Sequence, residues 1–448
     1  DAGKAYDPAL SLMHGINATP VYNIEKSSLV LSINADFLDN GRSPVQMMRA
    51  YGLMRSDDQK RRGRLIHLGP RLSITAAKAD EWIPLKVGTE AAFALGVAHM
   101  LLKERMYDGE FVDAFADGFE DGKDSEGKKR GGFRTLVLEE YSPARVSRIT
   151  GVPVETIIRV AREFHRLKPA VALGSEWSSY NYQGISTRMA IHALNILGGN
   201  IDREGGVLFA RSLPTVPEEL KLDETAKAGL GMPGIVEFMN RERPLRVDIS
   251  NDLPRQVLNG KPVKPNLIMI FDANPVYNTT EGQDYRRMFS ETGFVVSFSS
   301  FFDETTACAD LVLPNHTNLE RWGDVPTHTT HGFPVLGLQQ PVVAPFYETR
   351  HTGDVILQIV RNLGGSIQQA IPEQDFLELL KKRFKEVYES PRGELFGTQP
   401  EAAWSRLLER SGWRASSHAS FDDFWQAVTQ KGGWWEPVYY YREWNRVI

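Results

Sequence analysis

The sequence predicts an α/β protein made of two doubly wound, mostly parallel-sheet domains. Short apolar runs bounded by turn residues alternate with longer helical patterns along most of the chain. Two strand–turn–helix openings, Ile33-Asn34-Ala35-Asp36 and Phe271-Asp272-Ala273-Asn274, echo each other. The length, 448 residues, exceeds one ordinary domain. The spacing of these features predicts a first domain over 1–210, an irregular linker rich in proline and charge over 211–265, and a second domain over 266–448 with C-terminal helices.

Ser28–Ile33 reads as the first clear strand, and a helix follows over Pro44–Met54. Arg64–Leu68 reads as a strand, Thr75–Ala79 as a short helix and Trp82–Leu85 as a strand. Thr89 is an N-cap type ahead of a long helix to about Arg105, with Phe93, Val97, Met100 and Leu101 on one face. Pro143–Ile149 and Pro153–Phe164 each open on proline, which suits a helix's first turn. A strand at Ala170–Leu173 ends in Gly174, and a helix runs from Gly184 to Leu197, stopped by Gly198-Gly199-Asn200. The second domain repeats this logic. Strands are predicted at Leu267–Phe271, Phe294–Phe298 and Leu311–Leu313, with helices near Tyr285–Phe289 and Thr305–Cys308. Helical patterns at Val355–Leu363, Asp375–Val387, Glu401–Arg410 and Phe421–Val428 close the chain.

Composition narrows the function classes. A net charge of −5 with both signs interspersed points away from nucleic acid and anionic membrane surfaces. Cys308 is the only cysteine, so this chain alone ligates no iron–sulfur cluster, builds no four-cysteine zinc site and closes no internal disulfide. It reads as a buried structural cysteine. No apolar run reaches the roughly 20 residues a bilayer span needs; the longest, Ala91–Leu102, carries His99 and runs into Lys103-Glu104-Arg105. Asp1-Ala2-Gly3-Lys4 offers neither methionine nor signal peptide, so the chain is expected to begin inside a longer product.

Several blocks then become specific. They are Arg64-Leu65-Ile66-His67-Leu68-Gly69-Pro70-Arg71, Thr75-Ala76-Ala77-Lys78-Ala79-Asp80, Gly88-Thr89-Glu90-Ala91-Ala92, the run Ala190–Gly206, Ala273-Asn274-Pro275, Glu304-Thr305-Thr306 and Ala309–Pro314. In this order they resemble the molybdopterin oxidoreductases of the dimethyl sulfoxide reductase superfamily. Asn315–Asp324, ending Leu319-Glu320-Arg321-Trp322-Gly323-Asp324, resembles the polysulfide and thiosulfate reductase branch. The likeness covers about residues 20–440.

The resemblance implies two α/β domains clasping two molybdopterin guanine dinucleotides that carry molybdenum or tungsten. An N-terminal iron–sulfur domain and a C-terminal β-barrel domain would flank them; neither is evident, and Trp434–Arg446 reads as the approach to the latter. It carries cofactor-binding positions over to Asn34, Gly69, Arg71, Thr75, Glu90, Trp177, Asp272, Asn274 and Ser299.

Several of those positions depart from the chemistry a dinucleotide demands. A glycine lets backbone N–H groups approach the pyrophosphate, and a carboxylate receives the ribose hydroxyls. Here the two glycine positions are Asn34 and Asp272, the two acidic positions are Gly69 and Ser299, and Glu90 replaces an aspartate that pairs the guanine edge. A carboxylate about 4 Å from a phosphate costs roughly 4 kcal/mol at an effective dielectric near 20, about a thousandfold in affinity. The expectation is a degenerate site with no cofactor in this stretch, an iron–sulfur cluster lying in a preceding segment or a partner subunit.

No catalytic residue and no metal ligand stands out. The stretch matching the family's metal-ligand position offers Asp1, Asp7 and Ser11, and solvated loop is the plainer reading. His328 and His331 lack a carboxylate at ligand spacing and read as polar loop. Glu320 and Asp324 are an acid/base pair by type, with loop anchoring the plainer reading. Trp177, Tyr180, Tyr182 and Gln183 follow a strand end and either face a ligand or pack. Trp434, Trp435, Tyr439, Tyr440, Tyr441 and Trp444 suit an interface, and Lys128-Lys129-Arg130 a solvated loop.

By resemblance the function is that of a subunit in a membrane-associated respiratory complex, like those linked to quinone in sulfate-reducing bacteria, with a structural or electron-relay role. The implied partners are an iron–sulfur subunit, a multihaem cytochrome c and a quinone-handling membrane subunit, and the implied location is peripheral, on the periplasmic face of the inner membrane. The alternatives are an active molybdenum or tungsten reductase of polysulfide, thiosulfate or a related oxyanion, and a non-redox nucleotide-binding protein.

Overall fold

The computed structural model describes residues 8–15, 20–41, 43–56, 62–123, 127–175, 184–209, 213–214, 224–230, 252–261, 263–327, 334–390, 393–397 and 418–436. The chain divides into two compact units, one over 1–211 with 328–334 and 438–448, the other over 212–327 with 335–437.

The strands of the first unit are β1 (Pro20–Tyr22), β2 (Leu29–Ile33), β3 (Arg64–Gly69), β4 (Glu81–Pro84), β5 (Gly122–Lys123), β6 (Lys129–Arg130), β7 (Ala170–Gly174) and β8 (Val207–Phe209). Four of them form a parallel sheet in the order β4-β3-β2-β7, with Leu29 opposite both Arg64 and Ala170. All five residues of β2 are buried, as a central parallel strand covered on both faces requires. The pleat then sorts the side chains. Leu29, Leu31, Ile33, Ile66, Leu68, Ala170 and Ala172 enter the core beneath helices 90–103, 154–166 and 184–197. Their alternates Val30, Leu65, Val171 and Leu173 enter a second core against helix 44–54 and β8. Helix 90–103 has eleven of its fourteen residues buried, so it is apolar all round rather than one-faced. Gly96 makes this possible, since a Cβ there would stand 2.8 Å from Val146 on helix 143–150.

The second unit carries β9 (Leu267–Phe271), β10 (Phe294–Phe298), β11 (Leu311–Leu313), β12 (Gly323–Thr327), β13 (Val335–Gln339), β14 (Glu394–Leu395) and β15 (Gly433–Trp435). The first three form a parallel sheet, β11-β10-β9, with Phe271 opposite Phe298. The other four form an antiparallel sheet, β12-β13-β15-β14, which the sequence reading did not anticipate. Leu336, Leu395 and Trp434 of that sheet pack with Phe384 and Val387 of helix 376–389 and with Phe424 and Val428 of helix 421–431. Trp434, read as part of an interface cluster, is fully buried there against residues of its own chain. Within the stretch read as linker, residues 253–258 form a helix whose Pro254 and Val257 are buried. The predicted helix at Glu401–Arg410 lies outside the described residues. Among the described residues, no helix is long and apolar enough to cross a membrane.

Candidate functional site

The carboxyl ends of β2 and β9 hold the two turns singled out in the sequence. Asn34 has φ 52° and Asp272 has φ 44°, in the left-handed region that asparagine and aspartate tolerate better than other residues with a Cβ. The turns are built alike. The Asn34 N–H donates to Leu68 O at 2.6 Å and the Asp272 N–H to Phe298 O at 3.0 Å, each extending the parallel ladder by one bond.

At the first turn the Asn34 amide Nδ2 donates to Glu90 Oε1 at 2.7 Å. Glu90 opens helix 90–103 and is only 8% exposed, so this bond serves a buried carboxylate at the favourable end of the helix. Thr89 occupies the N-cap position as expected, but its hydroxyl donates to Lys86 O instead of capping. Behind the turn, Ser32 Oγ donates to Ala35 O at 2.8 Å and lies 2.9 Å from His67 Nδ1. His67 Nε2 faces Asp36 Oδ1 at 3.7 Å, and Arg71 donates to Asp36 Oδ2 at 2.7 Å. The residue types are those of a nucleophilic triad, but Ser32 is fully buried and its proton is given to a backbone carbonyl. The group therefore clamps the turn. Burial pushes the His67 imidazole down from its ordinary value, against the pull of Asp36. Gly69 borders the same ring, and a Cβ there would stand 2.8 Å from His67 Nε2. Thr75 is fully buried and accepts the Leu38 N–H at 3.2 Å. Trp177 lies outside the described residues, as do Tyr180, Tyr182 and Gln183.

At the second turn Asp272 accepts from Asn315 Nδ2 at 3.0 Å and faces Arg321 Nη1 at 3.9 Å, its side chain more than half exposed. Asn274 accepts from the Thr305 N–H at 3.2 Å and the Thr305 hydroxyl at 2.7 Å, and donates to Glu304 Oε2 at 2.8 Å. That amide holds the Glu304 carboxyl below its ordinary range. Ser299 bonds both the N–H and the carbonyl of Phe301, closing a local turn. Every described candidate in this unit is thus committed to a protein partner.

The remaining candidates resolve as follows. Glu320 accepts from the Thr317 and Phe346 N–H groups and anchors its loop, while Asp324 on β12 pairs with Arg383. Cys308 is half-buried instead of buried as expected, its thiol donating to Glu304 O at 3.3 Å. Lys129 and Arg130 are exposed but sit in the β5–β6 hairpin. Asp1, Asp7, His328, His331, Tyr439, Tyr440, Tyr441 and Trp444 fall outside the described residues; Ser11 lies in helix 8–14. Among the described residues, no three of His, Cys, Asp and Glu gather as a metal site would require. The structure also joins His14 and His192, buried with Nε2 atoms 2.7 Å apart. Their separation of 178 residues left no signal in the sequence.

The family model of the molybdopterin oxidoreductases matches residues 6–363. The chain belongs to this family. It is 32% identical over 383 residues to the "menaquinone reductase, molybdopterin-binding-like subunit" of Nitratidesulfovibrio vulgaris, a match over 85% of this chain and 48% of that protein. It is 30% identical over 357 residues to the molybdopterin-containing subunit of arsenate respiratory reductase from Chrysiogenes arsenatis, with 73% and 41% covered. The corresponding thiosulfate reductase subunit of Salmonella typhimurium is 27% identical over 332 residues, with 71% and 41% covered. Acetylene hydratase from Pelobacter acetylenicus shares the fold, with a TM-score of 0.66 at 23% identity over 85% of this chain and 52% of that one. This molybdopterin oxidoreductase chain therefore spans about half the length of the relatives it matches.

Proposed function

We propose that this molybdopterin oxidoreductase chain is the α/β body of a subunit in a membrane-associated, quinone-linked electron-transfer complex, with a structural or electron-relay role and a degenerate dinucleotide site. The observation that carries the reading is the state of the two turns. A pyrophosphate needs free backbone N–H groups and no opposing charge. Asn34 and Asp272 have spent their amides on the sheet, and each adds a side chain where glycine would leave room. Asp272 puts a carboxylate at the second turn, and Asn34 occupies the Glu90 carboxylate that a guanine edge would need. Gly69 and Ser299 supply no carboxylate for a ribose. As placed, these residues do not fit a pterin guanine dinucleotide. The menaquinone reductase relative supports the quinone link. The proposed partners are an iron–sulfur subunit, a multihaem cytochrome c and a quinone-handling membrane subunit, with the chain peripheral on the periplasmic face.

The test is elemental analysis of the purified native protein for molybdenum and tungsten, with assay of guanine nucleotide released by acid. Neither metal nor guanine in a folded, redox-active complex is the expected result. About one metal and two guanines per chain would refute the degenerate-site reading and make the chain part of a working oxyanion or sulfur-compound reductase.

A further inference from the structure

The first unit contains a cavity of about 630 Å³, away from the β2 turn and outside the reading above. That volume lies in the range of small-molecule sites. Its floor is one face of helix 184–197, where Ser186, Met189, Ala190, Ala193, Ile196 and Leu197 recur at helical spacing. Ala190 and Ala193 keep the floor low, each 7% exposed. Leu95, Val112, Phe119 and Phe133 make apolar walls, and Leu12 and Met13 of helix 8–14 close one side. An apolar chain would be desolvated there on several sides.

The rim is polar and charged. Arg130 stands on β6 with its guanidinium over Gly118, where a Cβ would come within 2.0 Å of Nη2. Gly118, at φ 73°, thus leaves the place this cation takes. Arg130 forms no hydrogen bond or ion pair among the described residues, although Asp117 lines the same rim. A free guanidinium at the mouth of an apolar cavity is a receptor for one carboxylate. The rim carboxylate Asp117 opposes a second negative charge, so a monoanion fits better than a dianion.

We infer that this cavity binds an amphiphile with an apolar chain and a single carboxylate head, the chain along helix 184–197 and the head on Arg130. The experiment uses the whole protein and a fluorescent dansyl-undecanoate probe, displaced by dodecanoate, dodecanol or dodecyl phosphate. Saturable probe binding at one site is expected, with dodecanoate displacing best, the alcohol about tenfold worse and the dianionic phosphate also worse. Arg130→Gln, an exposed change that should leave folding intact, is expected to weaken dodecanoate about tenfold and leave dodecanol unchanged. Ala193→Phe fills the floor and is expected to abolish probe binding. A circular-dichroism melt identifies any loss of fold in that variant, and Ala190→Val, the smaller change, then replaces it. Three results would each overturn the proposal: absence of saturable binding, equal affinity for acid and alcohol, or full affinity in both floor variants.

Discussion

If the two turns are closed on their own protein partners, removing their side chains must have unequal effects. Asn34→Gly deletes an amide that donates at 2.7 Å to Glu90, a carboxylate only 8% exposed. A hydrogen bond to a charged group contributes about 1.5–3 kcal/mol. Against this, glycine relieves about 1 kcal/mol of left-handed backbone cost at φ 52°. The net expectation is a loss of about 0.5–2 kcal/mol. Asp272→Gly gains the same relief, at φ 44°, but loses contacts of a side chain that is more than half exposed, its arginine 3.9 Å away. A surface ion pair contributes about 0–1 kcal/mol, and the bond from Asn315 Nδ2 about 1 kcal/mol more. The backbone relief largely offsets these losses, so that variant should be nearly neutral. Hydrogen exchange reads the units separately. Asn34→Gly should speed exchange of the β2 and β3 amides about tenfold, while Asp272→Gly should change β9 and β10 amides less than about threefold. A neutral or protective Asn34→Gly, or a larger penalty at Asp272, would refute the account of the first turn.

Other positions give independent checks. Asn195 is fully buried and bonds both the N–H and the carbonyl of Ala172, at 2.8 and 2.7 Å, so its amide closes the outer edge of β7 as a further strand would; Asn195→Ala should cost about 2–5 kcal/mol by calorimetry. Gly69→Ala drives a methyl into the His67 ring and should cost about 1–3 kcal/mol, measured as a lowered Tm; an unchanged Tm would mean the ring has room to move. Burial lowers the pKa of His67 and, far more, of His192. The unfolded chain therefore binds more protons below about pH 6.5, and stability present above that pH falls as acid is added, by about 1.4 kcal/mol per pH unit for each fully depressed histidine. Urea titrations at pH 7.5 and 5.5 should record the fall, and His192→Gln should flatten it.

The parallel sheets were legible because their strands are near-continuous apolar runs bounded by turns. Leu267–Phe271, Phe294–Phe298 and Leu311–Leu313 coincide with the observed strands. The antiparallel sheet was not legible, for physical reasons. Gly323–Thr327 contains glycine and proline, Glu394–Leu395 has two residues, and Gly433–Trp435 gains its pairing to β13 from about a hundred residues away. Side-chain commitments were equally invisible. Asn34 meets Glu90 across 56 residues and Asp272 meets Asn315 across 43. No local pattern records such a pairing.

Those pairings separate shape from chemistry at the two turns. The left-handed bend after β2 and after β9 is a property of the backbone, and asparagine or aspartate reproduces it nearly as well as glycine. What a turn can receive depends on what lies beyond the Cα, and there the two residues present an amide and a carboxylate. Strand–turn–helix geometry, and with it the overall likeness to relatives, therefore does not depend on glycine at these two turns. The Asn34–Glu90 bond fixes the start of the buried helix 90–103, and the Asp272–Asn315 bond ties β9 to the segment after β11. Both side chains thus serve as fastenings of the scaffold, and deleting the better buried one should weaken the fold.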